Sequence, residues 1–266
     1  MNNIIITTHS KRLRQLFNKY FNNFNKKIHF MNCCIIKLSS NNSDNNYKVI
    51  PHMIYEGELD TYENRNMNKY YNTHTFNSGN IYSNILQIPS NVNIYLIRHA
   101  QGYHNLNSGI ARYIKIANYN IILKDPQLTE IGISQSLKCG NELKKYINNL
   151  DKNYFFCSKF RRTRETLSYI MGVLNINQEI LILQYSHEIK TLDANDLKDY
   201  INEKNIKKDK IINNIKVNWT YFNENLQNFN YDYNSNMIYE AYFIIGKIND
   251  RDIEKIDRIK NTLFEL

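Results

Sequence analysis

The sequence predicts an α/β protein, and two observations support this prediction. Short apolar runs at residues 4–6, 94–97 and 180–183 each lead into a polar turn, as buried strands do. The first run is followed by apolar residues at helical spacing over residues 11–21, so a strand precedes a helix. Ligands bind at the carboxyl ends of strands in open α/β sheets, so the polar turns are candidate site segments.

The composition is that of a globular protein. The 266 residues are 42% hydrophobic, which suffices for one large α/β domain or two small ones. A net charge of +9 can indicate a nucleic-acid or membrane partner. However, Asn, Lys, Ile and Tyr are abundant and Gly and Pro are scarce, as an AT-rich genome would produce, and the lysines are scattered. We therefore expect neither nucleic acid nor a membrane as partner.

The cysteines argue against a metal site and against a disulfide framework. The chain contains Cys33, Cys34, Cys139 and Cys157, with no Cys-x-x-Cys pair. Few thiols of this kind fit a reducing compartment. No run has the pattern of a signal peptide or the length of a transmembrane helix. These features predict a cytoplasmic protein without metal or other cofactor.

The segment Ile94-Tyr-Leu-Ile-Arg-His-Ala-Gln-Gly-Tyr-His-Asn105 carries the strongest chemical signal. Its apolar start predicts a buried strand that ends at Arg98-His99. A guanidinium binds oxyanions in a bidentate fork, and an imidazole can act as nucleophile or proton carrier. An anionic, phosphate-like substrate is therefore indicated at this strand end.

The N-terminus repeats this arrangement. A β-branched run leads into His9-Ser10, and the helix expected over residues 11–21 has Ser10 as its N-cap. The N–H groups and positive dipole end of such a helix form an anion site. Taken alone, His9 is more often a loop histidine than a catalytic one.

A second helix is predicted after the strand that ends at Arg98-His99 and its turn. Thr129 is expected as its N-cap, and Glu130 in its first turn suits the helix dipole. The predicted apolar face consists of Ile133, Leu137, Gly140, Leu143 and Ile147.

The next predicted unit is a strand over residues 154–157, a basic turn and a helix. Three arginines, Arg161, Arg162 and Arg164, lie near the start of this helix, where a phosphate would bind. The apolar face of the helix is expected to be Leu167, Ile170, Met171 and Leu174. Glu188 follows the strand at 179–183 and could act as a general acid. A surface glutamate is an equally good interpretation.

The remaining segments carry weaker signals. Residues 39–92 are predicted to form a polar connecting region, with a loop at 39–43 and a partly flexible stretch at 57–90. Residues 195–250 are expected to form helices and loops over the site. Residues 250–266 predict an amphipathic helix.

Taken together, these motifs resemble those of the histidine phosphatase superfamily, also called phosphoglycerate mutase-like. The resemblance rests on Arg98-His99-Ala100-Gln101 with Asn105, on Asp-x-x-Leu-Thr-x-x-Gly-x-x-Gln at 125–135, and on Ser-x-x-x-Arg-x-x-x-Thr at 158–166. His9-Ser10 is similar to the family's second histidine motif. The resemblance implies a three-layer α/β/α sandwich with a mostly parallel sheet.

The resemblance also implies roles for individual residues. His99 would be the nucleophile that becomes a phosphohistidine, and Glu188 the general acid. His9, Arg98, Arg162, Asn105 and Ser10 would contact the phosphoryl group. Thr166 would be the partner of Arg162 in the helix, whereas Arg161 and Arg164 would be surface or substrate-rim residues. Ala100 and Ser10 stand where the family usually has Gly.

The motif order differs from that of the family, because the second histidine motif comes first. We interpret this as a circular permutation within a single domain of residues 1–266. Residues 1–38 would supply the family's C-terminal part, residues 39–92 would bridge, and residues 93–266 would supply the remainder. Two alternatives remain open. The N-terminal segment could exchange with a neighbouring chain in a homodimer, or the chain could be a piece of a tandem array.

A phosphomonoester hydrolase acting on a small phosphorylated substrate is the expected function. The family also includes phosphomutases, which use the same residues. A catalytically silent relative that binds phosphorylated ligands or a protein partner is the alternative from another class.

Overall fold

The computed structural model describes residues 2–25, 28–43, 46–58, 73–86, 88–105, 125–148, 152–183 and 208–219. In chain order the elements are β1 (Asn2–Thr8), α1 (Ser10–Tyr20), β2 (Ile35–Ser43), β3 (Asn46–Tyr55), α2 (Thr73–Asn77), β4 (Val92–Arg98), a 3-10 turn (Tyr103–Asn105), α3 (Glu130–Leu143), β5 (Lys152–Ser158), α4 (Arg161–Leu174), β6 (Ile180–Leu183), β7 (Ile211–Ile212) and β8 (Ile215–Asn218).

The strands form one mostly parallel sheet with the N-terminal strand near its centre. Its order is β3-β2-β4-β1-β5-β6-β8-β7. Strand β1 is parallel to β4 on one side and to β5 on the other, and β5-β6 and β6-β8 are also parallel. The β2-β3, β2-β4 and β7-β8 pairs are antiparallel. Strand β1 therefore completes the sheet of its own chain.

Helices cover both faces of the sheet. Side chains alternate along each strand, so Ile4 and Ile6 of β1 pack against α1. Ile5, between them, packs against the opposite face with α3 and α4. The same alternation holds along β4, β5 and β6. Burial on both faces explains why these strands are continuous apolar runs. The predicted three-layer α/β/α sandwich is confirmed.

Three asparagines fix the register of β1 at the edge of the sheet opposite His9. Asn3 pairs with Asn93 of β4 and with Asn153 of β5 in the strand register. The Asn3 amide donates to Asn153 Oδ1 over 2.9 Å, and Asn3 Oδ1 accepts from the Asn93 amide over 3.1 Å. All three side chains are buried. A slip of one residue would break both bonds and turn every β1 side chain to the wrong face.

The region expected to connect the two parts of the chain contributes to the fold itself. The loop predicted at residues 39–43 is wrong, because those residues continue β2 and pair with β3. Local polarity indicated a turn there, but the cross-strand partners decide the outcome. Further along, Phe76 and Ile81 are buried in the same cluster as Phe17 of α1. Residues 73–86 thus pack against the core cluster that contains α1.

Helices α3 and α4 pack closely against each other. Gly140 permits this contact, since a Cβ on it would lie 2.8 Å from Cβ of Val173. The predicted apolar face of α4 is confirmed, but that of α3 is only partly correct. Leu137 is exposed, whereas Gln135 and Ser136 are buried. The error arises because polar side chains of α3 face the turn after β4.

The described residues beyond β6 form a hairpin. Helices and loops were expected over 195–250, but β7 and β8 extend the sheet there, with β8 beside β6. The helix predicted at 250–266 lies outside the described residues. Among the helices that the structure describes, none has the length and apolar character needed to cross a membrane.

Replacing Asn3 by alanine is expected to lower the free energy of unfolding by about 2–4 kcal/mol. The substitution removes two buried hydrogen bonds and leaves Asn93 and Asn153 without those partners. Urea unfolding measures the change. Asn91→Ala, at an exposed position beside β4, is the control and should change stability by less than about 0.5 kcal/mol. Equal stability of the two variants would contradict the register role of Asn3.

Candidate active site

The carboxyl ends of three neighbouring strands bring the two histidine motifs together. Thr8 of β1 is in register with Arg98 of β4, and Thr7 with Cys157 of β5. The residues that follow, His9, His99 and Ser158, therefore lie side by side at one edge of the sheet. His9 and His99 are separated by 90 positions in sequence, yet their ring centroids are 5.0 Å apart.

His99 is fixed in one orientation by its neighbours. Its Nδ1 lies 2.7 Å from the carbonyl oxygen of Ala100, and its backbone N–H donates to the Thr8 carbonyl over 2.9 Å. A carbonyl only accepts hydrogen bonds, so Nδ1 must carry a proton. In the neutral ring the lone pair then resides on Nε2. That is the protonation pattern a nucleophilic imidazole requires.

His9 has the opposite tautomer. Nη2 of Arg162 lies 3.3 Å from its Nδ1, and the Ser158 hydroxyl 2.8 Å from its Nε2. A guanidinium only donates, so the neutral ring accepts at Nδ1 and carries its proton on Nε2. The Ser158 hydroxyl is in turn 2.9 Å from the Thr163 hydroxyl. These contacts orient His9 from both sides of its ring.

Arg98 is held by the segment that follows α1. Its Nη1 donates to the carbonyl of Phe30 over 2.5 Å and lies 3.5 Å from Nε2 of His29. The backbone N–H of Arg98 also donates to the carbonyl of Cys34. The N-terminal part of the chain thus supplies His9 and also positions the arginine beside His99.

The turn after His99 is anchored to α3 and α4. The backbone N–H of Ala100 donates to the Thr166 hydroxyl over 3.0 Å, and that of Gln101 to Gln135 Oε1 over 2.9 Å. Thr129 caps α3, as predicted, by accepting from the N–H of Gly132. Its own N–H donates to the carbonyl of Gln101. These bonds attach the starts of α3 and α4 to the turn after His99.

The close contact between α3 and the turn after His99 requires glycine at position 132. A Cβ on it would lie 2.1 Å from the carbonyl oxygen of Gln101, which is too close for any side chain. Helix α3 therefore approaches the turn after β4 only where it lacks a side chain.

Two further predicted residues have local partners in the structure. Asn105 Oδ1 accepts from the N–H of Gly102 over 3.0 Å and so closes the 3-10 turn. Ser10 is buried, and its hydroxyl has no hydrogen-bond partner among the described residues. The prediction that Ser10 is the N-cap is wrong: His9 occupies that position with extended backbone, and Ser10 is the first helical residue. The general acid expected at Glu188 lies outside the described residues.

Comparison with known proteins agrees with the motifs. Residues 94–210 match the model of the histidine phosphatase superfamily, branch 1. This part of the chain is therefore similar to the histidine phosphatase superfamily. No curated protein and no solved structure matches the chain. The superfamily comprises enzymes of the phosphatase and phosphomutase type, and the α/β fold with its mostly parallel sheet is consistent with a phosphoglycerate mutase-like architecture.

Arg164 has a structural position that the sequence did not predict. It was expected at the surface or at the substrate rim, but it is fully buried. Its guanidinium pairs with Asp125 over 2.9 Å and with Asp209 over 3.1 Å, and lies 5.2 Å from the ring of Trp219. Arg161, in contrast, is partly exposed and pairs with Glu165. Buried Arg164 therefore joins α4 to two distant segments.

Asp125 and Glu165 support the candidate site although neither was predicted to do so. Asp125 accepts from the N–H of Arg161, and Glu165 accepts from the N–H of Leu128 over 2.6 Å. Burial raises the pKa of the Asp125 carboxyl, whereas the Arg161 amide and the Arg164 guanidinium oppose this shift. Asp125 is the first residue of the motif at 125–135, so the sequence marked its position. No sequence signal pointed to Glu165.

Cys157, which precedes Ser158 at the end of β5, is poorly suited to act as a nucleophile. Burial raises the pKa of the Cys157 thiol to about 12, so it stays protonated at neutral pH. Cys33, Cys34 and Cys139 are also buried, and all four thiols are free.

Replacing Gly132 by alanine is expected to lower the free energy of unfolding by about 1–3 kcal/mol, because the new methyl group displaces the carbonyl of Gln101. The matched control is Gly172→Ala on α4, where a Cβ meets nothing within 4 Å. That change should be neutral or stabilise by up to about 1 kcal/mol through helix propensity. Thermal or urea unfolding compares the two variants, and equal effects would show that Gly132 is not under steric constraint.

Proposed function

We propose that the chain is a phosphomonoester hydrolase that works through a phosphohistidine on His99. The observation that carries the proposal is the pairing of the two imidazoles. His99 has its lone pair on Nε2, because Nδ1 bonds the Ala100 carbonyl. His9 lies 5.0 Å away between centroids, which is close enough for both rings to contact one tetrahedral phosphoryl group.

The reaction would proceed in two steps. His99 Nε2 attacks phosphorus, the bond to the leaving oxygen breaks, and that oxygen takes a proton from Glu188 in its proposed role. Water then attacks the phosphohistidine, with Glu188 accepting its proton, and releases inorganic phosphate and free His99. The covalent intermediate divides one difficult transfer into two easier ones.

The charge on the phosphoryl oxygens would be balanced by the surrounding donors. Arg98 and Arg162 are buried, and Arg162 contacts His9. Both guanidiniums can form paired hydrogen bonds to phosphate. His9 would donate in its protonated state. The buried hydroxyl of Ser10, at the start of α1, is a further donor in this proposal. Asn105 would act mainly through the turn that it closes.

Hydrolysis is preferred to mutase chemistry. A mutase must retain the phosphohistidine while its substrate reorients, and the sequence carries no recognisable segment for that task. The silent alternative is a relative that binds phosphorylated ligands or a protein without turnover. Binding alone does not require the opposite tautomers of His9 and His99, whereas reaction requires the lone pair on Nε2 of His99, so the alternative is less well supported. We propose a small phosphorylated substrate and a cytoplasmic location.

The first test is phosphate release from 4-nitrophenyl phosphate. His99→Ala is expected to abolish release because it removes the nucleophile, and His9→Ala to reduce it by about 100-fold or more because it removes a donor to the transferred group. His52→Ala is the control, since His52 lies on β3 away from the site, and should retain full activity. Alkaline quenching should preserve a phosphohistidine for detection by mass spectrometry.

Activity that survives in His99→Ala would refute the phosphohistidine mechanism. A wild-type chain that binds phosphate without turnover would favour the silent alternative. Transfer of the phosphoryl group to a second hydroxyl compound, with little release to water, would favour a mutase.

We further propose that the fold is a circular permutation closed within one chain. The position of β1 between β4 and β5 of the same chain supports this proposal. The alternative is exchange of the N-terminal segment in a homodimer, in which His9 of one chain would serve His99 of its partner. Both arrangements build the same site, so a mixing experiment is needed to distinguish them.

Co-refolding of His9→Ala chains with His99→Ala chains should give no recovery of activity if each site is closed within its chain. In an exchanged dimer, mixed pairs would contain one intact site, and recovery to about a quarter of wild-type activity is expected. The measurement is 4-nitrophenyl phosphate turnover after refolding from urea, with wild-type chain refolded in parallel. Recovery would overturn intramolecular closure.

A further inference from the structure

Phe160 contacts both His9 and Arg162, two side chains that are expected to bind phosphate. The guanidinium carbon of Arg162 is 4.5 Å from the centroid of its ring. The ring of His9 contacts the same side chain edge-on, with centroids 5.4 Å apart and an interplanar angle of 84°. Phe160 occupies a position of the 158–166 motif that carries no expected role.

The backbone of Phe160 is held independently of its side chain. It is the N-cap residue of α4 with extended backbone, at φ −72° and ψ 141°. Its carbonyl accepts from the N–H groups of Thr163 and Arg164 and from the Thr163 hydroxyl. The ring direction thus follows from the helix start, and a change of side chain need not disturb α4.

The contacts have a physical consequence for Arg162. An arginine side chain loses rotamer freedom when it is held in one orientation, and a cation over an aromatic face is attracted by the ring quadrupole. The ring therefore limits the orientations of the guanidinium, which also bonds Nδ1 of His9 over 3.3 Å. His9, Phe160 and Arg162 form a closed triangle of contacts.

We propose that Phe160 is a positioning residue that holds Arg162 and His9 in the geometry that receives a phosphoryl group. The proposal deepens the proposed function and rests on the phosphate-binding part of it. Phe160 itself exchanges no proton and forms no bond to the substrate. Its contribution is to keep a guanidinium and an imidazole directed to one point, so that less ordering is needed when an oxyanion binds.

The test compares Phe160→Leu with Phe160→Tyr in the full chain. Leucine keeps an apolar side chain but removes the aromatic face, so we expect affinity for inorganic phosphate to fall about tenfold. Tyrosine keeps the face and should stay within about twofold of wild type. Phe24→Leu is the matched control, since Phe24 is a partly buried aromatic residue in the cluster around Phe17 and Phe30. It should leave phosphate affinity unchanged.

A spectroscopic signal separates positioning from a general loss of stability. The Nε–H proton of Arg162, near the ring face, should show a ring-current shift in wild type and in Phe160→Tyr and lose it in Phe160→Leu. If Phe160→Leu does not fold, Phe160→Met replaces it with the same expected losses. Calorimetry and 31P NMR measure phosphate binding.

Phosphate affinity of Phe160→Leu within twofold of wild type would overturn the proposal, as would equal weakening by leucine and tyrosine. A wild-type chain that binds no phosphate would also overturn it. In contrast, a wild-type chain that binds phosphate but does not hydrolyse 4-nitrophenyl phosphate would refute only the hydrolase, because the affinity comparison would still stand.

Discussion

The pairing of β1 with both β4 and β5 is the constraint on which the site depends. His9 and Ser10 follow β1 directly, and the register Thr8 with Arg98 places them beside the end of β4. Neither histidine motif builds the site without this strand. Its buried position between two parallel neighbours, with an asparagine bonded to both of them, makes a shift of register costly. The relative positions of His9 and His99 are therefore set by the register of the sheet.

Hydrogen-bond chemistry at the strand ends gives the two histidines different characters. The carbonyl beside His99 forces a proton onto Nδ1, whereas the guanidinium beside His9 forces a lone pair onto that atom. Two residues of the same type therefore hold opposite tautomers, with the lone pair on Nε2 in His99 and the proton on Nε2 in His9. The neighbours responsible, Ala100, Arg162 and Ser158, lie within the motifs or within the turns that the motifs build.

Buried polar contacts hold the helices that carry these residues. Arg164 has no exposed surface, and its charge is balanced by two carboxylates. Breaking such a pair leaves a buried charge without compensation, so the contacts tie α4 firmly to Asp125 and Asp209. Gly132 acts differently, by allowing α3 to approach the turn after β4 without a steric clash. Charge pairing and close approach together support the ends of β4 and β5.

The sequence by itself determined the strand–helix units, the cap at Thr129 and the family motifs, because periodicity, capping and motif spacing are local properties. It also indicated that His9 and His99 act together, although only through resemblance. Tertiary structure decided the features that depend on contacts between residues distant in sequence. Residues 39–43 became strand because β3 pairs with them, and Arg164 became buried because two distant carboxylates neutralise it. The position of Phe160 against His9 and Arg162 likewise depends on two strands that meet only in the folded sheet.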